Sequence, residues 1–237
     1  MGNIAIAMVG QGAIITLSTD ASGNLSGVGI PAGNINDTGS GAGGGRSLTS
    51  PLTLDFTFQL NDTLASTNEQ SYTLSQVAAG QGLTASAYGM WASTGKTLPG
   101  DAGTFAFGNL TPATSVPTTG SATFNGFTIG MGGAVDGSTQ YALKGNAQVI
   151  ANFATQSVTA NLTNFVTSSY TTSVKTPIPD LTGTSAISGN AYTGPISGGA
   201  LAGTINGNFY GSTAQETAGV WQASGGGNAW IGSFGAK

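Results

Sequence analysis

The sequence predicts an all-β protein, on three observations. Apolar and polar residues alternate with period two from Leu52 through Leu54, Phe56 and Phe58 to Leu60, the signature of a strand with one buried face. From Tyr141 onward the chain is cut by Gly, Asn and Pro into runs of roughly ten residues, the spacing of a sandwich or barrel. No segment sustains the 3.6-residue period of a long helix.

Taken in order, residues 3–17 read as two short strands broken at Gly10-Gln11-Gly12, with the apolar run Ile4–Val9 an opening strand rather than a signal peptide. Residues 20–51 read as turn-rich, ending in a glycine run at 39–45 that forms a mobile loop or hairpin tip. That run does not read as a phosphate cradle, because Arg46-Ser47-Leu48 follows it instead of Gly-Lys-Ser/Thr and a helix. Further strands are expected over 52–60, 72–75, 141–150, 151–162, 183–192 and 200–210. A longer loop is expected over 168–179 and a short helical turn at 213–218. The Asp136-Gly137-Ser138 stretch reads as a hairpin turn rather than a calcium loop, since the pattern does not repeat.

Composition excludes several function classes. Only 6% of the 237 residues are charged, against roughly 25% in ordinary globular proteins. Arg46, Lys96, Lys144, Lys175 and Lys237 are scattered, so the clustered cations that neutralise nucleic-acid phosphates are missing. The chain has no Cys and no His. It therefore forms no disulfide, and it lacks the commonest general base and the imidazole that ligates zinc or haem. No run approaches the ~20 apolar residues of a transmembrane helix.

The nine acidic residues show no pair on one strand face of the kind that glycoside hydrolysis uses, and no catalysis is expected. Glu216 is the most singular carboxylate. The reading favoured here is that it accepts backbone N–H bonds, or pairs with a base, to lock a turn before a buried strand. Trp91, Trp221 and Trp230 read as core fillers before they read as a stacking site for a sugar or haem. By alternation, Trp230 shares a strand face with Gly232 and Phe234.

Two blocks name a family. The first runs through Tyr88-Gly89-Met90-Trp91, then Gly108-Asn109-Leu110-Thr111-Pro112, then Pro117, Gly120, Ala122 and Phe124. The second runs through Gly207, Phe209, Tyr210, Gly211, Ala214, Glu216, Gly219 and Trp221, and closes on Ile231-Gly232-Ser233-Phe234-Gly235-Ala236-Lys237. In order and spacing they resemble the barrel domain of the bacterial transferrin-binding protein B family. The resemblance covers residues 83–237 and implies an eight-stranded antiparallel barrel there, with residues 1–82 as a β-rich handle-like domain ahead of it. Tyr88, Trp91, Pro117, Gly120, Phe209, Tyr210, Gly211, Ala214, Glu216, Gly219, Phe234 and Gly235 are then the structural family motif.

The resemblance further implies a non-catalytic ligand-binding protein, secreted or on the outer-membrane surface of a Gram-negative bacterium, in iron or haem acquisition. Its ligand would be a protein or a small molecule, haem included, with an export or receptor barrel as a further partner. No nucleic-acid partner, resident cofactor or metal is expected. The chain lacks the charge-rich loops of the pathogen proteins, which weakens transferrin binding in particular. Two alternatives remain open at this point: a self-associating surface or matrix subunit, and a lipid-embedded outer-membrane barrel.

Overall fold

The computed structural model describes residues 16–19, 25–30, 35–37, 56–62, 70–77, 82–95, 102–135, 140–169 and 178–237. The expected strands over 3–15, the glycine run at 39–45 and the Asp136 turn lie outside the described residues.

Among the described residues there are three sheets. β1 (Thr16–Thr19), β2 (Leu25–Ile30) and β3 (Ile35–Asp37) form an antiparallel three-stranded sheet. β4 (Phe56–Asp62), β5 (Gln70–Val77), β6 (Ser86–Gly95) and β7 (Ala102–Gly108) form a four-stranded antiparallel sheet in sequence order. A single 3-10 turn at Ala113–Ser115 then leads into the barrel. The barrel strands are β8 (Ser121–Ala134), β9 (Gln140–Asn152), β10 (Ser157–Ser169), β11 (Leu181–Ser188), β12 (Ala191–Gly198), β13 (Leu201–Tyr210), β14 (Glu216–Gly225) and β15 (Asn228–Ala236). Each pairs antiparallel with its sequence neighbour, and β15 returns to β8 from Asn228↔Ala134 to Ala236↔Gly126, which closes the sheet. Closure removes the free edges that an open sheet exposes.

Alternation along the barrel strands sorts the side chains. In β9, Tyr141, Leu143, Ala147, Val149 and Ala151 are buried, while Lys144, Asn146 and Gln148 face out. The interior is filled by rings. Phe209 lies 6.0 Å from Phe124, 5.6 Å from Phe153 and 5.5 Å from Tyr192, centroid to centroid. Toward the other end, Trp221 meets Phe165 at 5.8 Å and Trp230 stacks on Tyr141 at 6.2 Å. All five separations fall within the favourable range for aromatic pairs.

Glycines make room for these rings. Trp221 pairs across strands with Gly232, Trp230 with Gly132, Tyr192 with Gly207 and Phe234 with Gly219. A Cβ built on any of the four glycines would run into its partner's ring. A bare backbone opposite an aromatic lets the ring lie flat on the sheet instead of standing into the lumen.

The outward face carries Asn125, Asn146, Gln148, Thr182, Thr184 and Ser197, all exposed or half-exposed. A lipid-facing barrel needs the reverse arrangement, an apolar outer band around a polar interior. The outer-membrane alternative is therefore set aside.

Several strand boundaries differ from expectation. Residues 20–51 hold β2 and β3 where turns were expected, because glycines at 27 and 29 hide the alternation of Val28 and Ile30. The stretch read as one strand at 151–162 contains a hairpin turn, with Gln156 at φ 51°. The stretch read as one strand at 183–192 is two strands, β11 and β12, hinged at Gly189 with φ +61°. The expected helical turn at 213–218 is a tight turn followed by β14, because Ala214 at φ 58° cannot continue a right-handed helix and Glu216 to Ala218 pair with Tyr210 to Asn208. β6 and β7 hydrogen-bond to the β4–β5 side, and the first barrel strand begins at Ser121.

Replacing Gly232 by Ala should lower the unfolding free energy by about 1–3 kcal/mol, the usual cost of overpacking a filled core. Urea unfolding followed by tryptophan fluorescence measures it, and an unchanged midpoint would mean that the Trp221 ring does not rest there.

Candidate functional site: the carboxylate between sheet and barrel

β14 is buried on both faces. Positions 216–221 are all buried, with Trp221 pointing to the barrel core and Glu216, Ala218 and Val220 on the opposite, outer face. The cover comes from the four-stranded sheet, whose β6 and β7 lie against β14 and β15. The seam has its own apolar cluster of Leu83, Tyr88, Ala106, Tyr210 and Ala218, flanked by Ala85, Leu110 and Ile129. Tyr88 lies over Gly235 as the interior rings lie over theirs.

Into this seam β14 delivers one carboxylate. Glu216, 3% exposed, accepts hydrogen bonds from three consecutive backbone amides. The Thr84 N–H donates to Oε1 at 2.6 Å, the Ala85 N–H is shared between Oε1 and Oε2 at 3.2 and 3.1 Å, and the Ser86 N–H donates to Oε2 at 2.8 Å. The hydroxyls of Thr84 and Ser86 add bonds of 3.1 and 2.8 Å. Consecutive amides converging on one anion form a nest, and such charge-assisted bonds are about twice as strong as neutral ones. The arrangement saturates both oxygens. It can anchor a turn, but it leaves neither a proton acceptor aimed at solvent nor an open metal position.

Further bonds stitch the same seam. The Ser233 hydroxyl donates to the Gly89 carbonyl at 2.7 Å, and the Asn109 N–H donates to the Ala85 carbonyl at 2.8 Å. The Gly211 N–H donates to the Asn109 carbonyl at 2.8 Å, tying the β7–β8 connection to the turn before Glu216. Thr111 fastens that turn again, donating from Oγ1 to the Gly211 carbonyl at 2.8 Å and accepting from the Ala214 N–H at 3.2 Å. Its own carbonyl accepts from Asn190 Nδ2 at 2.7 Å. Val116 and Ala214 join the barrel core at this end.

The structure thus brings six of the twelve motif residues to one region. Glu216 is the anchor and Tyr88, Tyr210 and Gly235 form its apolar surround. Gly211 at φ +87° and Ala214 at φ 58° shape the turn leading into it. Phe209, Gly219 and Phe234 belong to the barrel interior instead. Pro117 and Gly120 lie in the connection into β8, where the Gly120 carbonyl accepts from the Phe153 N–H at 3.0 Å. Trp91 pairs with Leu74 and Gly103 within the four-stranded sheet, and its side chain is outside the described set. Trp221 and Trp230 are core, as the motif block indicated for Trp221 and alternation for Trp230. Thr111 stands in the first motif block, whereas Thr84, Ser86 and Asn190 were not singled out from sequence. The nearest of their partners is 79 residues away in the chain, and no local pattern announces such bonds.

A family model described as the C-lobe and N-lobe beta barrels of Tf-binding protein B matches residues 116–237. The chain belongs to that family. Among solved structures, a single-substitution variant of transferrin-binding protein B from Haemophilus parasuis Hp5 superposes with a TM-score of 0.60 at 16% identity, covering 99% of this chain and 45% of that one. The isotype 1 protein from serogroup B Neisseria meningitidis gives 0.58 at 16% identity, covering 99% and 43%. Intact Ap-TbpB, with N and C lobes, gives 0.58 at 16% identity, covering 92% and 42%. This chain therefore spans less than half the length of these proteins, and at such identity the likeness is one of fold. No curated protein matches the chain.

Two tyrosines at this site and beside it resist ionisation. Burial pushes the phenol of Tyr192 well above its ordinary 10.0, opposed by its hydrogen bond to Thr217 and helped by neighbouring Tyr210. Burial alone does the same to Tyr210.

Two outcomes follow. Glu216→Gln places an amide N–H₂ among donors and should cost about 1.5–3 kcal/mol; urea unfolding gives the loss, and faster amide exchange at Thr84–Ser86 localises it. The tyrosines govern alkaline behaviour, because a folded-state value raised above the unfolded one adds stability that is complete below pH about 10 and is lost as pH rises beyond it. Phenolate absorbance during a base titration should appear together with unfolding for Tyr192 and Tyr210; early ionisation in the folded protein would contradict their burial.

Proposed function

We propose that this transferrin-binding protein B-type chain is a non-catalytic ligand-binding module that acts in iron acquisition, displayed on or released from the surface of a Gram-negative bacterium. The observation that carries the reading is a family barrel whose lumen is filled. Trp221, Tyr192, Phe209 and Phe234 are each within 1% of full burial, so a ligand engages loops and outer faces rather than the interior. Specificity then resides in connections that vary on a constant scaffold.

Within this reading the handle is the four-stranded sheet, extending past residue 82 to Gly108, and the Glu216 anchor sets its orientation on the barrel. Loops at both ends of that rigid pair would present the contact surface. An iron-linked protein such as a transferrin is the first ligand to test, with haemin as the small-molecule comparison. An outer-membrane export or receptor barrel would be the second partner. The scarcity of charge means association by shape, neutral hydrogen bonds and apolar contact, with little electrostatic steering.

Surface plasmon resonance against iron-loaded transferrin, iron-free transferrin and haemin tests this. Saturable binding to one of them is expected, with an association rate changing less than about threefold between roughly 50 and 500 mM salt. Absence of saturable binding to all three defeats the iron-linked reading, and a steep salt dependence defeats the mechanism.

A further inference from the structure

We infer that the outward face of β8–β11 around Phe127 is a binding surface for a neutral polysaccharide. Among the described residues, Phe127 is the only exposed aromatic side chain, at 48% exposure. It stands on the outer face of β8, opposite Asn146 on β9 and Gly235 on β15. On the β15 side the ring is bordered by the seam, where Tyr88 and Leu83 cover Gly235.

Next to the ring, carboxamides form a row across the sheet. Asn125 pairs with Gln148, Gln148 with Asn161 and Asn161 with Thr182, one residue from each of β8, β9, β10 and β11. Two side-chain bonds hold the row in place. Gln148 Nε2 donates to Asn125 Oδ1 at 3.1 Å, and Thr182 Oγ1 donates to Asn161 Oδ1 at 2.8 Å. These bonds leave Gln148 Oε1 as an acceptor and the Nδ2 groups of Asn125 and Asn161 as donors toward solvent. The row is therefore ordered before any ligand arrives, which lowers the entropic cost of binding.

The surface carries little charge. Its cations are Lys144 on β9 and Lys237, whose backbone pairs with that of Asn125. A nucleic acid would find no cluster of cations, and an acidic polymer would find two separated lysines. Ile150 on β9 and Val166 on β10 add exposed apolar surface to this face, but a stable protein interface would need a larger apolar core than these scattered side chains supply. A pyranose has complementary chemistry, with a C–H face that covers an aromatic ring and a rim of hydroxyls that both donate and accept. Strands about 4.8 Å apart carry the row over roughly 14 Å, long enough for successive sugar units, so a polymer is favoured over a monosaccharide. The barrel surface is convex and buries little of any one sugar, so affinity per chain is weak and gains from repeated engagement along a polymer.

Native gel electrophoresis through dextran, mannan or galactan, with carboxylated alginate as the charged comparison, tests the inference. The protein should be retarded by at least one neutral polymer, and equally so after salt is raised. Phe127→Ala and the double variant Asn125→Ala/Gln148→Ala should each weaken the retardation at least about tenfold in apparent affinity. Both change exposed side chains, and an unchanged urea midpoint shows that the fold is kept. No retardation by any neutral polymer, retardation by alginate alone, or retardation insensitive to both variants overturns the inference. Concentration-dependent dimerisation abolished by Phe127→Ala, without polymer binding, would also overturn it and assign the face to a second copy. None of these results depends on whether an iron-linked ligand binds elsewhere.

Discussion

Four rings in the barrel interior lie over glycines directly opposite them on the next strand: Trp221 over Gly232, Trp230 over Gly132, Tyr192 over Gly207 and Phe234 over Gly219. An eight-stranded barrel encloses a lumen just wide enough for side chains to fill. Large rings on adjoining strands cannot all stand upright in it, and each glycine lets one ring lie down. The same device recurs outside the barrel, where Tyr88 of the four-stranded sheet lies over Gly235. A chain with 40 glycines thus reaches a dense core rather than a loose one. Glycine costs backbone entropy in a strand, and ring burial offsets it.

The filled lumen shapes the rest of the molecule. Strands β14 and β15 are committed on their inner face to the core, and their outer face is covered by β6 and β7. A strand covered twice reads as a continuous buried run rather than an alternating one, which is what positions 216–221 show. A carboxylate inside such a run is costly unless it is fully satisfied. Glu216 is satisfied by the amides and hydroxyls of Thr84–Ser86. A buried anion with that many donors tolerates few alternative geometries, so it fixes direction as well as affinity. The four-stranded sheet cannot slide along the barrel without orphaning several donors at once.

Charge scarcity has a matching logic. The barrel exterior presents amides and hydroxyls, and cross-strand bonds lock Asn125, Gln148, Asn161 and Thr182 into a row. Such a surface steers charged partners little over distance.

The all-β class was legible in the alternation at 52–60 and the regular turn spacing, and the barrel in the two motif blocks, whose glycines and aromatics fall where rings and backbones meet. Trp230 was readable as core because it follows the strand period, and Trp221 because it fills the aromatic position of the second motif block. Strand ends were less legible wherever glycine took an alternating position, as in β2, or where a hairpin turn was built from ordinary residues, as at Gln156. The turn before β14 looked helical because local sequence does not disclose that Ala214 adopts a left-handed φ. The sequence by itself determined the fold class, the family and the residue types that could not be exposed. Only the tertiary structure decided that β6 and β7 join the four-stranded sheet and that Glu216 anchors a turn some 130 residues distant. Alternation and turn chemistry act over a few residues, whereas a carboxylate finds its donors only when closure of the barrel brings remote segments together.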